Sequence, residues 1–146
     1  MAESDRIYLV SCVSRKLGIA APTREFYVSP WFMAVRQYVE AAGDPWYVLS
    51  AQYGLVTPAQ VLAPYDETLN KMKITERRAW ANRVTAQMDE LMPSVRTVVV
   101  FAGLRYREFL TDYLKRRWTV EVPMEGLRIG EQLRWLRNHS GHESTR

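Results

Sequence analysis

Only one of the 146 residues is cysteine and only two are histidine. A single thiol, Cys12, forms no internal bridge, and one cysteine with two histidines makes a poor zinc set. The glycine-rich P-loop and the G-x-G-x-x-G pattern are both missing, so neither ATP nor a dinucleotide is indicated. Both histidines, His139 and His142, fall in the C-terminal tail, which leaves no plausible Ser/His/Asp set. No apolar run approaches the roughly 18–20 residues needed to span a bilayer. The opening Met1–Asp5 is polar and acidic, unlike a signal peptide. The expectation is a cytoplasmic protein with no membrane association, no metal and no cofactor.

What is present is ordinary globular composition, 47% hydrophobic and 25% charged. The length suits a single domain over 1–146 that buries a core of its own. Twenty Lys and Arg against sixteen Asp and Glu give a net charge of +4. Such an excess suits a polyanionic partner, and it equally suits solvated helix faces.

Along the chain, Arg6–Val13 is a short apolar run rich in β-branched and aromatic residues, the pattern of a buried strand. A long loop containing Gly18 and Pro22 follows. Ser29-Pro30 supplies an N-cap and a first-turn proline for a helix to about Ala42, with Phe32, Val35 and Val39 on one face, and Gly43-Asp44-Pro45 stops it. Trp46–Ser50 reads as a second strand. From Leu55 to Lys73 there is no clear period, and Pro58 and Pro64 forbid a long element. Thr75 is the expected cap of a helix to about Leu91. Thr97–Phe101 reads as a strand, Arg105–Arg117 as a helix, Thr119–Val122 as a strand and Ile129–Asn138 as a last helix. The tail 139–146 is expected to fray. Strands alternating with helices predict an α/β fold, a single three-layer domain with a mainly parallel sheet flanked by helices.

In such sheets ligands bind beyond the carboxyl ends of the strands. Four strand ends and one loop should therefore converge. They bring Ser11, Cys12, Ser14 and Lys16; Ser50, Tyr53 and Gly54; Gly103 and Tyr106; Glu125; and, from the loop, Tyr65 and Asp66. Hydroxyls, glycines and a lysine at strand ends suit a phosphate. Each residue also has a structural alternative: Ser11 and Ser14 as strand-end hydrogen-bonders, Cys12 as a small buried filler, Asp66 as an Asx-type turn. Tyr53 and Tyr65 either pack as ordinary aromatics or stack on a base. Basic residues gather on the later helices, notably Arg77 and Arg78, then Lys115, Arg116 and Arg117, and form a candidate nucleic-acid contact.

Four stretches carry a resemblance: Ser11-Cys12-x-Ser14-x-Lys16, Tyr27-x-Ser29-x-x-Phe32, Leu49-Ser50-Ala51-x-Tyr53-Gly54-Leu55 with Pro58 and Pro64-Tyr65-Asp66-x-x-Leu69, and Pro123-Met124-x-Gly126 with Gly130-x-Gln132-Leu133-x-Trp135-Leu136. Together they resemble a family of small bacterial and phage proteins of unknown function. The same core is similar to the YaaA peroxide-stress DNA-binding family, and the opening motif is more faintly similar to that of archaeosine synthases. The resemblance implies work on DNA or modified bases, with anti-phage glycosylases that remove glucosylated hydroxymethylcytosine among the relatives. It implies a DNA N-glycosylase, a hydrolase, in which Asp66 and Lys16 are catalytic, Tyr53 and Tyr65 stack on the base, and Ser11, Ser14 and Lys16 hold phosphate. The alternatives it leaves are a non-catalytic YaaA-like DNA-binding protein and a base-modifying transferase.

Overall fold

The computed structural model of the chain describes residues 5–140. Its elements run β1 (Arg6–Ser11), β2 (Ala21–Pro22), α1 (Thr23–Phe26), α2 (Pro30–Ala42), β3 (Trp46–Ser50), β4 (Gly54–Val56) and β5 (Val61–Leu62). A 3-10 turn at Leu69–Lys71 follows, then α3 (Ile74–Leu91), β6 (Thr97–Phe101), α4 (Leu104–Arg107), α5 (Thr111–Arg117), β7 (Thr119–Glu121) and α6 (Ile129–Ser140).

Five strands form one sheet in the order β4-β3-β1-β6-β7. β1 pairs in parallel with β3 and β6, β6 pairs in parallel with β7, and only β4 runs antiparallel. The register shows how the helices divide. Leu9 pairs with Tyr47, so those two side chains share a face, and Tyr8 points to the other. Tyr8 meets Tyr38 of α2 edge-on and stacks on Phe101, whose ring contacts Trp135 of α6. On the opposite face Tyr47 donates to Leu91 O at the end of α3. The sheet is therefore sandwiched, α2 and α6 on one side and α3 on the other, and Arg77–Glu108 and Tyr113–Asp89 contacts fasten α4 and α5 beside α3. β1, β3 and β6 are buried on both faces, which is why they read as continuous apolar runs.

The chain goes from β1 through α2 to β3, then recrosses to β6 by way of α3. Connections from neighbouring β1 and β6 thus leave toward opposite faces, which opens a crevice between their carboxyl ends.

Several boundaries depart from expectation. β1 ends at Ser11, because Cys12 has left the ladder although its N–H still reaches Leu49 O. α3 is capped two residues earlier than Thr75: the Lys73 N–H donates to Glu76 Oε1, half of a capping box. The expected helix Arg105–Arg117 is two helices, since Thr111 Oγ1 and the Leu110 N–H both turn back onto Arg107 O and break the ladder. The unpatterned stretch after Gly54 holds two short strands, β4 and β5, each too brief to show a period. α6 runs on to Ser140, and of the tail expected to fray, 141–146 lies outside the described residues.

Candidate functional site

Two long connections cover the carboxyl end of the sheet, and each is fixed by backbone hydrogen bonds. The first folds back on itself after β1: Lys16 bridges Tyr27, Leu17 N–H donates to Phe26 O, and Val28 N–H donates to Arg15 O. The second, 57–73, is stitched to the first where β2 pairs with β5 and where Thr23 N–H and Oγ1 both donate to Gln60 O. These contacts bring Lys16, Tyr27 and Tyr65 together above Ser50 at the end of β3.

Beneath them lies a cluster of hydroxyl groups. Ser50 is fully buried; its Oγ donates to Tyr65 Oη at 3.1 Å and accepts from Tyr53 N–H at 3.0 Å. Tyr65 Oη and Tyr27 Oη lie 2.6 Å apart. A second group sits alongside, where Cys12 Sγ and Leu69 N–H each donate to Tyr106 Oη at 3.4 Å. Burial pushes the Tyr27, Tyr65 and Tyr106 phenols well above the ordinary value of 10, with the Cys12 thiol adding to the effect. At neutral pH all three are uncharged hydroxyls, able both to donate and to accept.

The upper surface carries charge. Lys16 Nζ lies 4.6 Å from the centroid of the Tyr65 ring and donates to Ser14 O. The other walls of that ring are Phe26, stacked, and Tyr53, edge-on with its hydroxyl anchored to Ala63 O. Asp66 follows Tyr65 and is exposed, beside Glu67, Thr68 and Lys71 in a shallow depression. Across the crevice, exposed Gly103 ends the β6 connection, and exposed Glu125 pairs with Arg107 at 3.3 Å. Among the described residues no three His, Cys, Asp or Glu side chains are grouped so as to hold a metal ion. Among those residues, too, no helix is long and apolar enough to cross a membrane.

A family model described as a family of unknown function, DUF6884, matches residues 7–138. The chain belongs to DUF6884. It is similar to the uncharacterized protein YfjM of Bacillus subtilis (strain 168), at 24% identity over 145 residues, 90% of this chain and 92% of YfjM. No solved structure matches.

In this DUF6884 chain the residues singled out from sequence fall into three settings. Cys12, Ser50, Tyr53, Tyr65 and Tyr106 meet in or beside the buried hydroxyl cluster, with Ser11 buried at the end of β1 next to it. Ser14, Lys16, Asp66, Gly103 and Glu125 stand on the accessible surface above the strand ends. Gly54 faces α3 instead: at φ +76°, an added Cβ would lie 2.2 Å from Gln87 Oε1, the atom that accepts from Leu55 N–H.

The basic residues divide likewise. Arg77 is buried, pairing with Glu108 at 3.0 Å and donating to Met72 O at 2.7 Å, so its guanidinium serves the fold. Arg78 is exposed, 4.3 Å from the Phe109 ring. Lys115, Arg116 and Arg117 are exposed at the end of α5, immediately before β7, which places them at the opposite end of the sheet from the hydroxyl cluster. Sequence reading gave no site role to Tyr27, Arg107 or Gln132. Tyr27 had a signal, two residues before the capping Ser29, but nothing local marks Arg107 as reaching Ala102 O and Glu125.

Proposed function

We propose that this chain is a DNA N-glycosylase that excises a modified base, with glucosylated hydroxymethylcytosine of phage DNA as the leading candidate. The proposal includes kinship with the YaaA family and a cytoplasmic role in anti-phage defence. One observation carries it: Lys16 lies over the Tyr65 ring, and an exposed carboxylate, Asp66, follows Tyr65 in the chain. An enzyme of this kind extrudes its nucleotide from the stack and reads it in a pocket.

In the proposed reaction the bond between deoxyribose C1′ and the base nitrogen breaks, and its electron pair leaves with the base. Positive charge develops on the sugar, as in glycoside hydrolysis. The Asp66 carboxylate offsets that charge and takes a proton from the water that attacks C1′, while the departing base is protonated. Lys16 and Ser14 hold the flanking phosphate. The aromatic rings of Tyr53 and Tyr65 stand beside Lys16, where they meet the sugar attached to the base. If the deprotonated amine of Lys16 attacks C1′ in place of water, a Schiff base forms and the enzyme is also a lyase; borohydride trapping separates the two routes.

The test is release of free base from modified DNA by the wild type and by Asp66→Asn. The variant is expected to bind DNA as the wild type does and to lose base release by ~100-fold or more, the range for a positioned acid or base. An unchanged rate removes Asp66 from the reaction. The exposed Lys115–Arg117 run favours one other reading, a YaaA-like protein that binds DNA without cutting it. That reading predicts salt-sensitive retardation of DNA with no base released.

A further inference from the structure

A cavity of about 200 Å³ lies between the carboxyl ends of β6 and β7, beside the crevice but outside the hydroxyl cluster. Val100 and Val122 form part of its walls, with Met124 and Leu127 from the following turn. The polar side chains are Arg107, Glu125 and Gln132, the last with its amide already engaged by Trp31 Nε1 and Leu127 O. Arg107 is mostly buried, and its guanidinium is held in place where Nε donates to Ala102 O at 2.8 Å and Nη1 to Glu125 Oε2 at 3.3 Å. A guanidinium has five N–H donors, so contacts with Ala102 and Glu125 leave others to offer. The Glu125 carboxylate is about two-thirds exposed and keeps acceptor capacity beside them.

We infer that this cavity binds a planar single-ring heterocycle that presents a hydrogen-bond acceptor beside a donor, the edge of a pyrimidine base. Size and edge chemistry agree on that class. A cavity of ~150 Å³ takes one benzene, so this one admits one substituted six-membered ring in preference to a fused pair. An Arg N–H next to a carboxylate oxygen complements an edge with an acceptor next to a donor, and both cytosine and uracil carry one. A concave site with a few fixed polar groups that set orientation is the usual make-up of a small-ligand pocket. The inference rests on the glycosylase reading for its biological meaning, since it names where the extruded base sits and which class of base fits.

The experiment needs no DNA: saturation-transfer NMR on the intact protein with free cytosine, uracil and adenine. Both pyrimidines are expected to bind and to compete with one another, with adenine at least ~10-fold weaker. Glu125→Ala, at an exposed position, is expected to weaken pyrimidine binding by about 10-fold or more, the value of one charge-assisted hydrogen bond. Gly103→Phe tests the mouth independently: Gly103 has an ordinary negative φ and its added Cβ meets nothing within 4 Å, so the ring is accommodated and obstructs entry. Adenine binding as tightly as the pyrimidines, no base binding at all, or wild-type affinity in Glu125→Ala would overturn the inference. Pyrimidine binding without base release from DNA keeps the pocket and removes the glycosylase; base release without binding of a free base does the reverse.

Discussion

The pairing of Tyr27 with Tyr65 over Ser50 makes a prediction that can be worked from the geometry. Tyr65→Phe deletes the hydroxyl that faces both Tyr27 Oη and Ser50 Oγ, leaving those two buried groups with only each other and, for Ser50, the Tyr53 N–H. A lost buried hydrogen bond costs about 0.5–1.5 kcal/mol and a fully orphaned group about 1–3 kcal/mol, so Tyr65→Phe, which loses two bonds but orphans neither partner, should cost about 1–2 kcal/mol. Tyr27→Phe should cost about 1 kcal/mol, because Tyr65 still receives the Ser50 hydroxyl. The double variant removes both members of the pair together and should cost no more than Tyr65→Phe alone, a coupling of about 1 kcal/mol. At ~2.1 cal/mol/K per residue, a chain of 146 residues shifts its Tm by about 3 °C for each kcal/mol. Urea unfolding followed by fluorescence gives the cycle, with a constant slope as the control for two-state behaviour. Additivity within about 0.5 kcal/mol, or a Tyr65→Phe cost that small, would refute the reasoning.

Two further outcomes follow from the same structure. Gly54→Ala forces an L residue to φ +76° and sets its methyl against Gln87 Oε1, so it should destabilise by more than ~1–2 kcal/mol, read as a lower urea midpoint. The raised phenol values of Tyr27, Tyr65 and Tyr106, with Tyr8 and Tyr113 pushed up to about 12, mean that the folded state favours neutral tyrosines. Their contribution is complete below the ordinary phenol value of ~10 and is lost as pH rises above it. The urea midpoint should therefore fall beyond about pH 10, and a Tyr27→Phe, Tyr65→Phe, Tyr106→Phe variant should fall less steeply.

The buried parallel strands were legible in sequence because burial on both faces demands uninterrupted apolar runs, as in Tyr8-Leu9-Val10 and Val98-Val99-Val100. The start of α2 was legible as well, since Ser29 and Pro30 act locally: Ser29 Oγ accepts from Phe32 N–H. β4 and β5 were not, because two- and three-residue strands are defined by the partner they pair with and not by any period of their own. The strand-end rule gathers Ser50, Tyr65 and Tyr106 into one region from the sequence alone. It could not separate buried Ser50 from exposed Ser14, or buried Arg77 from exposed Arg78, because those differences depend on long-range packing. The ion pair from Arg77 to Glu108 spans 31 positions of sequence, and Arg107–Glu125 spans 18.

The most direct measurement is incubation of the purified protein with unmodified, hydroxymethylated and glucosylated phage DNA, followed by mild alkali to reveal abasic sites. Strand breaks confined to modified DNA, and absent with Asp66→Asn, are the result the account predicts. DNA that stays intact in all three samples while shifting in mobility would contradict it and leave a binding protein.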